Sequence, residues 1–442
     1  MKKGLPLPLK LLLGIIVGGA LGIWIYNVVK DVVSPIDIMD KTSYILKEGE
    51  KVFESKSNIV LAGSVTQLQS FAFNALQVIV CAHRLMGQFI MFCVPLIVLG
   101  FICPSITKMG QNAGKLLGVA LIIAYLSSIL AATMSAAVGY VLVPHLGINA
   151  NGAFERELPK AIFQLDIPQI MPVIAALVLS IVVGLAAVWT KSQHTIDLLA
   201  EFQNIVLDIV NKIVIPILPF YIGTTFATLG YNGTLEQFPV FIKAIIIVMA
   251  GHFIWMAILY LIAGAYSGKN PVEVVRHYGP AYITAVGTMS SAATLSVALE
   301  CANKSKVLRK DLVGFGIPLF ANIHLCGSVL TETFFCFIIH YFMFGNLPSI
   351  PTMILFIVLF GIFAVGAPGV PGGTVMASLG IVQSVMCAAA GATPDQVATF
   401  TGTLLAIFAL QDSFGTACNV TGDGALTLFL TGYAEKHGIK EA

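Results

Sequence analysis

The chain is short of charge. Of its 442 residues only 10% are Asp, Glu, Lys or Arg, against 57% hydrophobic, where a soluble globular domain carries roughly 25% charged residues. That shortage excludes most soluble classes, and a net charge of +2 offers nothing for nucleic acid. Also lacking is any Cys-x-x-Cys pair. The eight cysteines sit mostly inside apolar runs, where they read as small buried hydrophobes rather than disulfides or metal ligands. The glycine-rich "GAPGVPGG", Gly366–Gly373, lacks the Gly-Lys-Ser/Thr ending of a phosphate loop and has membrane-length apolar flanks. What is abundant is hydrocarbon. Mean hydropathy is +0.91, and stretches of about 20 apolar residues, enough to cross a bilayer core, recur along the chain. The sequence is that of a polytopic helical membrane protein. "MKKGLPLPLK" and the apolar run after it lack a convincing small-residue cleavage site, so they read as a first membrane helix.

Ordinary spans are expected near 10–29, 85–106, 116–143, 170–189, 202–229 and 238–266. Lys2, Lys3 and Lys10 precede the first span, Lys108 and Lys115 separate the second and third, and Lys304, Lys306, Arg309 and Lys310 form a later cluster. Basic short loops stay in the cytoplasm, so the N-terminus is expected there, in a multi-pass protein of a bacterial inner membrane.

The last third is different. "YGPAYITAVGTMSSAATLSVALECANK", 278–304, is two short apolar halves around a small polar centre, and "GAPGVPGG" splits a second apolar stretch. Prolines and glycines at that density will not hold a helix, and freed backbone groups in lipid must find protein, water or ions. Both segments read as re-entrant hairpins whose tips meet inside the protein. Each precedes a long apolar segment with a polar middle, "ANIHLCGS" in 308–344 and "LQDSFGTACNVTGDG" in 394–433. Interrupted segments in matching positions point to a transporter site near the bilayer midplane.

On a helix with Asp412 at zero, Thr416 lies at about +40°, Asn419 at about −20° and Asp423 at about +20°, with Gly415 beside them at about −60°. This is one polar stripe. A seam between packed helices is the plainer explanation of Ser, Thr and Asn, but two intramembrane carboxylates argue for an ion or substrate path. Asp412 suits an α-ammonium group; Asp423 and carbonyls near Asn419 suit a hard cation; Ser290, Ser291 and nearby N–H groups suit a carboxylate.

"SSAATL" in the first hairpin, "GVPGG" in the second, "NVTGD" on the last helix and "FIMFCVPLIVLGFI" in the second span resemble the dicarboxylate/amino acid:cation symporter family, which includes the glutamate transporters. The resemblance covers nearly the whole chain and is weakest in 31–83 and 147–165. It implies an all-α fold of eight spans plus two re-entrant hairpins, a homotrimer, and elevator-type transport with the second hairpin as gate. The chain then divides into 1–106 (first two spans, scaffold), 107–169 (third span and loop), 170–235 (scaffold spans) and 236–442 (transport core). The resemblance assigns Asp412 to the substrate amino group and Asn419 to its α-carboxylate and amino end. It makes Asp423 a sodium ligand, with Asn419 beside it. Ser290 and Ser291 match the first tip, Val370, Pro371 and Gly372 the gate tip, and Gly415 and Thr416 complete the substrate set.

Two departures matter. Acidic-substrate members carry arginine where this chain has Gly415, so a side-chain carboxylate loses a bidentate partner. A neutral amino acid then fits better than glutamate, aspartate or a C4-dicarboxylate. The family's Asn-Met-Asp-Gly-Thr motif reads "HLCGS", 324–328, with Cys326 in place of the aspartate. Sodium coupling is weakened, with Ser127 and Ser128 as hydroxyl partners of the affected site. His324, Ser328 and Glu332, spaced by four, would share one helix face, so that His324 and Glu332 could relay a proton instead; a histidine bonded in the core is the alternative. No cofactor is expected beyond sodium or a proton, and no catalytic residue. Readings from other classes are a substrate-gated channel or a membrane enzyme. The i, i+2 spacing of His324 and Cys326 points them to different helix faces, which counts against an enzyme.

Overall fold

The structure, a computed structural model, describes residues 7–35, 45–47, 50–52, 59–61, 65–111, 115–148, 158–163, 165, 167–233, 238–367 and 372–440. Helix α1 (Leu7–Val29) is apolar on all sides. Its outward face (Leu13, Ile16, Val17) is exposed, as a lipid-facing surface is. Its other face carries Gly14, Gly18 and Gly22. A Cβ added at Gly18 would overlap the carbonyl oxygen of Gly223, so backbone meets backbone there. Small residues are what permit such approach between membrane helices.

Four short strands follow. β1 (Val33–Pro35) pairs antiparallel with β4 (Ile59–Leu61), and β2 (Ile45–Lys47) with β3 (Glu50–Val52). These two short pairings lie between the first two membrane helices, and every other regular element among the described residues is helical, so the all-α expectation holds. α2 (Gln67–Gln111) runs 45 residues and begins at Gln67 rather than near 85. Its added turns bury Ala72, Phe73 and Leu76 against Ile25, Val29 and Tyr231, so tertiary packing holds helical a stretch too polar to look like a span. α3 (Lys115–Leu142) is an ordinary span. α4 (Val173–Trp189) starts only after Pro172 and has 17 residues, about 25 Å. α5 (Gln193–Ile209) and α6 (Ile215–Tyr231) are joined by a π-type turn at Val210–Val214 into one long rod. That rod also starts earlier than expected, because its first turns are amphipathic. α7 (Phe238–Ser267) follows.

After the single turn α8 (Val272–Val275) come two hairpins, each followed by a long element. α9 (Gly279–Thr288) and α10 (Ser291–Asn303) form the first. The turn has Met289 in the left-handed region at φ 54° and Ser290 as the cap, its hydroxyl accepting from Ala293 N–H at 3.2 Å. α11 (Lys310–Ile323) and α12 (Cys326–Phe344) are one path broken at His324–Leu325. α13 (Ile350–Gly366) and α14 (Gly373–Ile381), extended by a π-type turn at Val382–Cys387, form the second hairpin, broken where "GAPGVPGG" stands. α15 (Pro394–Lys436) is a single helix of 43 residues, started by a Thr393–Gln396 capping box.

Among the described residues, seven helices are long and apolar enough to cross a membrane, with shorter apolar helices at Ile174–Trp189, Ile350–Gly366 and Gly373–Cys387. α1 packs on α6, and α2 on α4 and α5, while α15 is surrounded by α7, α9, α11 and α12, and α3 lies on α12 and α13. The polar stripe of α15 is therefore enclosed by protein rather than lipid.

Candidate substrate and cation site

Asp412, Thr416, Asn419 and Asp423 lie on the unbroken α15 and are buried, Asp412 at 4% and Asp423 at 1% exposure. They serve three different neighbours. Asp412 faces the hairpin tips. One of its oxygens accepts from Gly372 N–H at 2.7 Å, and the other is 3.5 Å from the Thr416 hydroxyl. Asp412, Met289 of the first tip, Gly372 and Val375 of the second, and Leu218 of α6 border a small cavity of about 20 Å³, room for roughly one water. Gly415 is also buried. A Cβ there would meet Ser328 and Gly327 backbone only at 3.4–3.5 Å, ordinary contact, so packing does not demand glycine.

Asn419 is committed to the helix break. Its side-chain oxygen accepts from Gly327 N–H at 2.7 Å and Ser328 N–H at 3.3 Å, and its amide donates to the Ser328 hydroxyl at 2.9 Å. The first turn of any helix has N–H groups without intrahelical acceptors, and here a side chain from α15 supplies one. His252 of α7 completes the brace, its Nε2 2.9 Å from the Thr331 hydroxyl and 3.1 Å from the Gly327 carbonyl.

The break also corrects the expected grouping of His324 with Ser328 and Glu332. Because the helix stops at Ile323 and restarts at Cys326, the i+4 spacing no longer sets a common face. His324, fully buried, turns to Asp423: Nδ1 is 3.0 Å from its Oδ1, and Nε2 is 2.8 Å from the Ser127 hydroxyl of α3. Glu332 instead accepts a hydrogen bond from Ser378 of α14.

Of the two serines singled out on the first tip, Ser290 caps α10 and Ser291 is buried in its first turn; Met289 borders the cavity instead. Val370 and Pro371 lie outside the described residues. His252 and Ser378 were not singled out from the sequence. A histidine within the apolar run "VMAGHFIWMAIL" is a signal that could have found the first; a lone serine in "VMASLGI" carries none.

Two interrupted hairpins meeting at a buried carboxylate in a polytopic helical protein define a membrane transporter. Residues 7–432 match the sodium:dicarboxylate symporter family. The chain belongs to that family: it is a cation-coupled, multi-pass membrane symporter and not an enzyme. It is similar to the serine/threonine transporter SstT of Streptococcus thermophilus (strain CNRZ 1066), 27% identical over 79% of this chain and 87% of the relative. It is also similar to excitatory amino acid transporter 3 of Bos taurus, 31% identical over 61% of this chain and 48% of the relative.

Proposed function

We propose that the protein carries a neutral amino acid across the membrane together with a cation. The observation that carries this reading is Asp412, a buried carboxylate beside both hairpin tips, bonded among the described residues to uncharged donors, Gly372 N–H and the Thr416 hydroxyl. An ionised carboxylate buried in a membrane protein calls for a positive partner, and a substrate ammonium group supplies one. Gly415 stands one turn along with no side chain, so nothing at that position would neutralise a second substrate carboxylate. The named activity of the streptococcal relative makes serine and threonine the first compounds to try.

In this reading the amino group displaces the Gly372 N–H from Asp412, which couples arrival of substrate to movement of the second tip. α1, α2 and α4–α6 form the scaffold, α4 serves as the eighth span, and α3 with α7–α15 moves as the carrier in a homotrimer. The α9–α10 and α13–α14 hairpins enter from opposite faces, with the N-terminus in the cytoplasm. The coupling cation is sodium or a proton; a proton-driven cycle would use His324 on Asp423 and Glu332 on Ser378 as separate groups. Asp412→Ala should abolish neutral amino acid binding in a protein that still elutes as a folded particle. Binding retained in that variant would remove Asp412 from the substrate site.

A further inference from the structure

The family's name implies a sodium ion, and the resemblance puts Asp423 among its ligands. The residues around Asp423 do not suit one. A hard cation takes oxygen donors, and sulfur and imidazole suit softer metals. Among the described residues the side-chain partner of the carboxylate is a ring nitrogen; of the two tyrosines near it, Tyr260 already donates its hydroxyl to the Thr421 carbonyl at 2.8 Å, and Tyr278 offers one neutral hydroxyl. The Oδ1 of Asp423 faces His324 Nδ1 at 3.0 Å. The Ser127 hydroxyl is 2.8 Å from the other ring nitrogen. The Asn419 oxygen already accepts two backbone N–H groups. Cys326, in the place of the family's second carboxylate, is fully buried.

The ring is fitted to this place from several sides. A Cβ at Gly422, the residue before Asp423, would come 2.8 Å from His324 Cε1 and 3.5 Å from the Cys326 sulfur, so ring and thiol press on the backbone of α15 next to Asp423. Phe320 packs edge-on to the ring at 6.5 Å between centroids. With Asp423 ionised, its oxygen only accepts and Nδ1 carries the proton toward it. Through its two nitrogens one side chain at the helix break joins α3 to α15, positions 197 residues and 99 residues away in the chain. That is the mechanical task a bound ion performs when its ligands come from separate helices.

We propose that His324 is a built-in replacement for sodium: its imidazole fills the space beside Asp423, and Asp423 holds no sodium ion. This rests on the reading of the protein as an amino acid symporter and deepens it by excluding one coupling ion from one place. Sodium bound elsewhere would be untouched by the ring.

The test is amino acid binding to the purified full-length protein in lipid nanodiscs, by calorimetry with serine, threonine and alanine, as sodium replaces choline at constant ionic strength. Wild type is compared with Asp423→Asn, whose side-chain oxygen still accepts from His324. The sodium response of Kd is expected to be the same in both proteins. Tightening by sodium of about tenfold or more in wild type, the size of an ordinary coupling between sites, that disappears in Asp423→Asn overturns the proposal and leaves the symporter reading standing. Failure of all three amino acids to bind wild type in either salt removes the neutral amino acid reading and the proposal with it. A second variant guards against misfolding of the first. His324→Asn combined with Cys326→Asp restores oxygen donors, and it should gain a sodium response about tenfold or more beyond that of wild type. A folded double variant with the sodium response of wild type would also overturn the proposal.

Discussion

At the scale of single residues, one helix face is divided among different tasks. Asn419 satisfies N–H groups of the α12 first turn. Asn419→Ala should therefore cost about 1–3 kcal/mol, the usual penalty for a buried donor left without an acceptor, read as a lower Tm in detergent. An unchanged Tm would mean that those N–H groups find another acceptor. Gly415 offers the complementary gain. Its Cβ position meets only ordinary contacts, so Gly415→Ala should fold; Gly415→Arg, in protein that still elutes as a folded particle, should shift preference from neutral toward acidic amino acids in competition binding. Loss of neutral binding with no acidic binding in its place would count against Gly415 as the discriminating position. The stripe itself was legible in the sequence, because Asp412, Thr416, Asn419 and Asp423 return to one angle on any unbroken helix and α15 is unbroken. His324 was not placed correctly, because spacing by four has meaning only within a continuous helix. "HLCGS" has no proline, and its one glycine lies beyond the break, so nothing local announced that the chain leaves the helix at His324 and Leu325.

At the scale of elements, two contacts decide how pieces of the fold stay together. The second hairpin is tied to α12 by the Ser378 hydroxyl on Glu332, and the other Glu332 oxygen has no partner among the described residues. Ser378→Ala would strip the remaining hydrogen bond from a buried carboxyl group. The second hairpin should then loosen, seen as faster labelling of a cysteine introduced at Gly373, while Ser378→Thr should keep the slow rate. Equal rates in all three would mean that the tie does not hold the hairpin. The α1–α6 contact is a backbone approach, so Gly18→Leu should prevent accumulation of folded protein in the membrane. Both hairpin breaks were readable from composition: glycine and proline crowd 366–373, and small polar residues crowd the first tip. The early start of α2 was not readable, because Ala72, Phe73 and Leu76 are held by α1 and Tyr231, partners remote in sequence.

At the scale of the whole molecule, the proposed scaffold is α1 with α2 and α4–α6 and the proposed carrier is α3 with α7–α15, which meet where α13 and α14 touch α2 and α15 touches α6. If the carrier takes substrate past the scaffold, a covalent tie between them must stop transport and spare binding. Gly402 of α15 and Thr225 of α6 offer a place, since a Cβ at Gly402 would lie 3.4 Å from the Thr225 hydroxyl. In a background with the eight native cysteines replaced, Thr225→Cys with Gly402→Cys should lose uptake on oxidation and regain it on reduction, while binding amino acid in both states. Uptake by the oxidised, fully cross-linked protein would rule out relative motion of α6 and α15. What the protein moves is answered by uptake into proteoliposomes of labelled serine, threonine and alanine against aspartate, glutamate and succinate, under imposed sodium and proton gradients. Saturable, gradient-driven uptake of a neutral amino acid, absent in Asp412→Ala and little inhibited by the acidic compounds, is the expected result. Aspartate, glutamate or succinate as the preferred substrate would contradict the assignment built on Asp412 and Gly415.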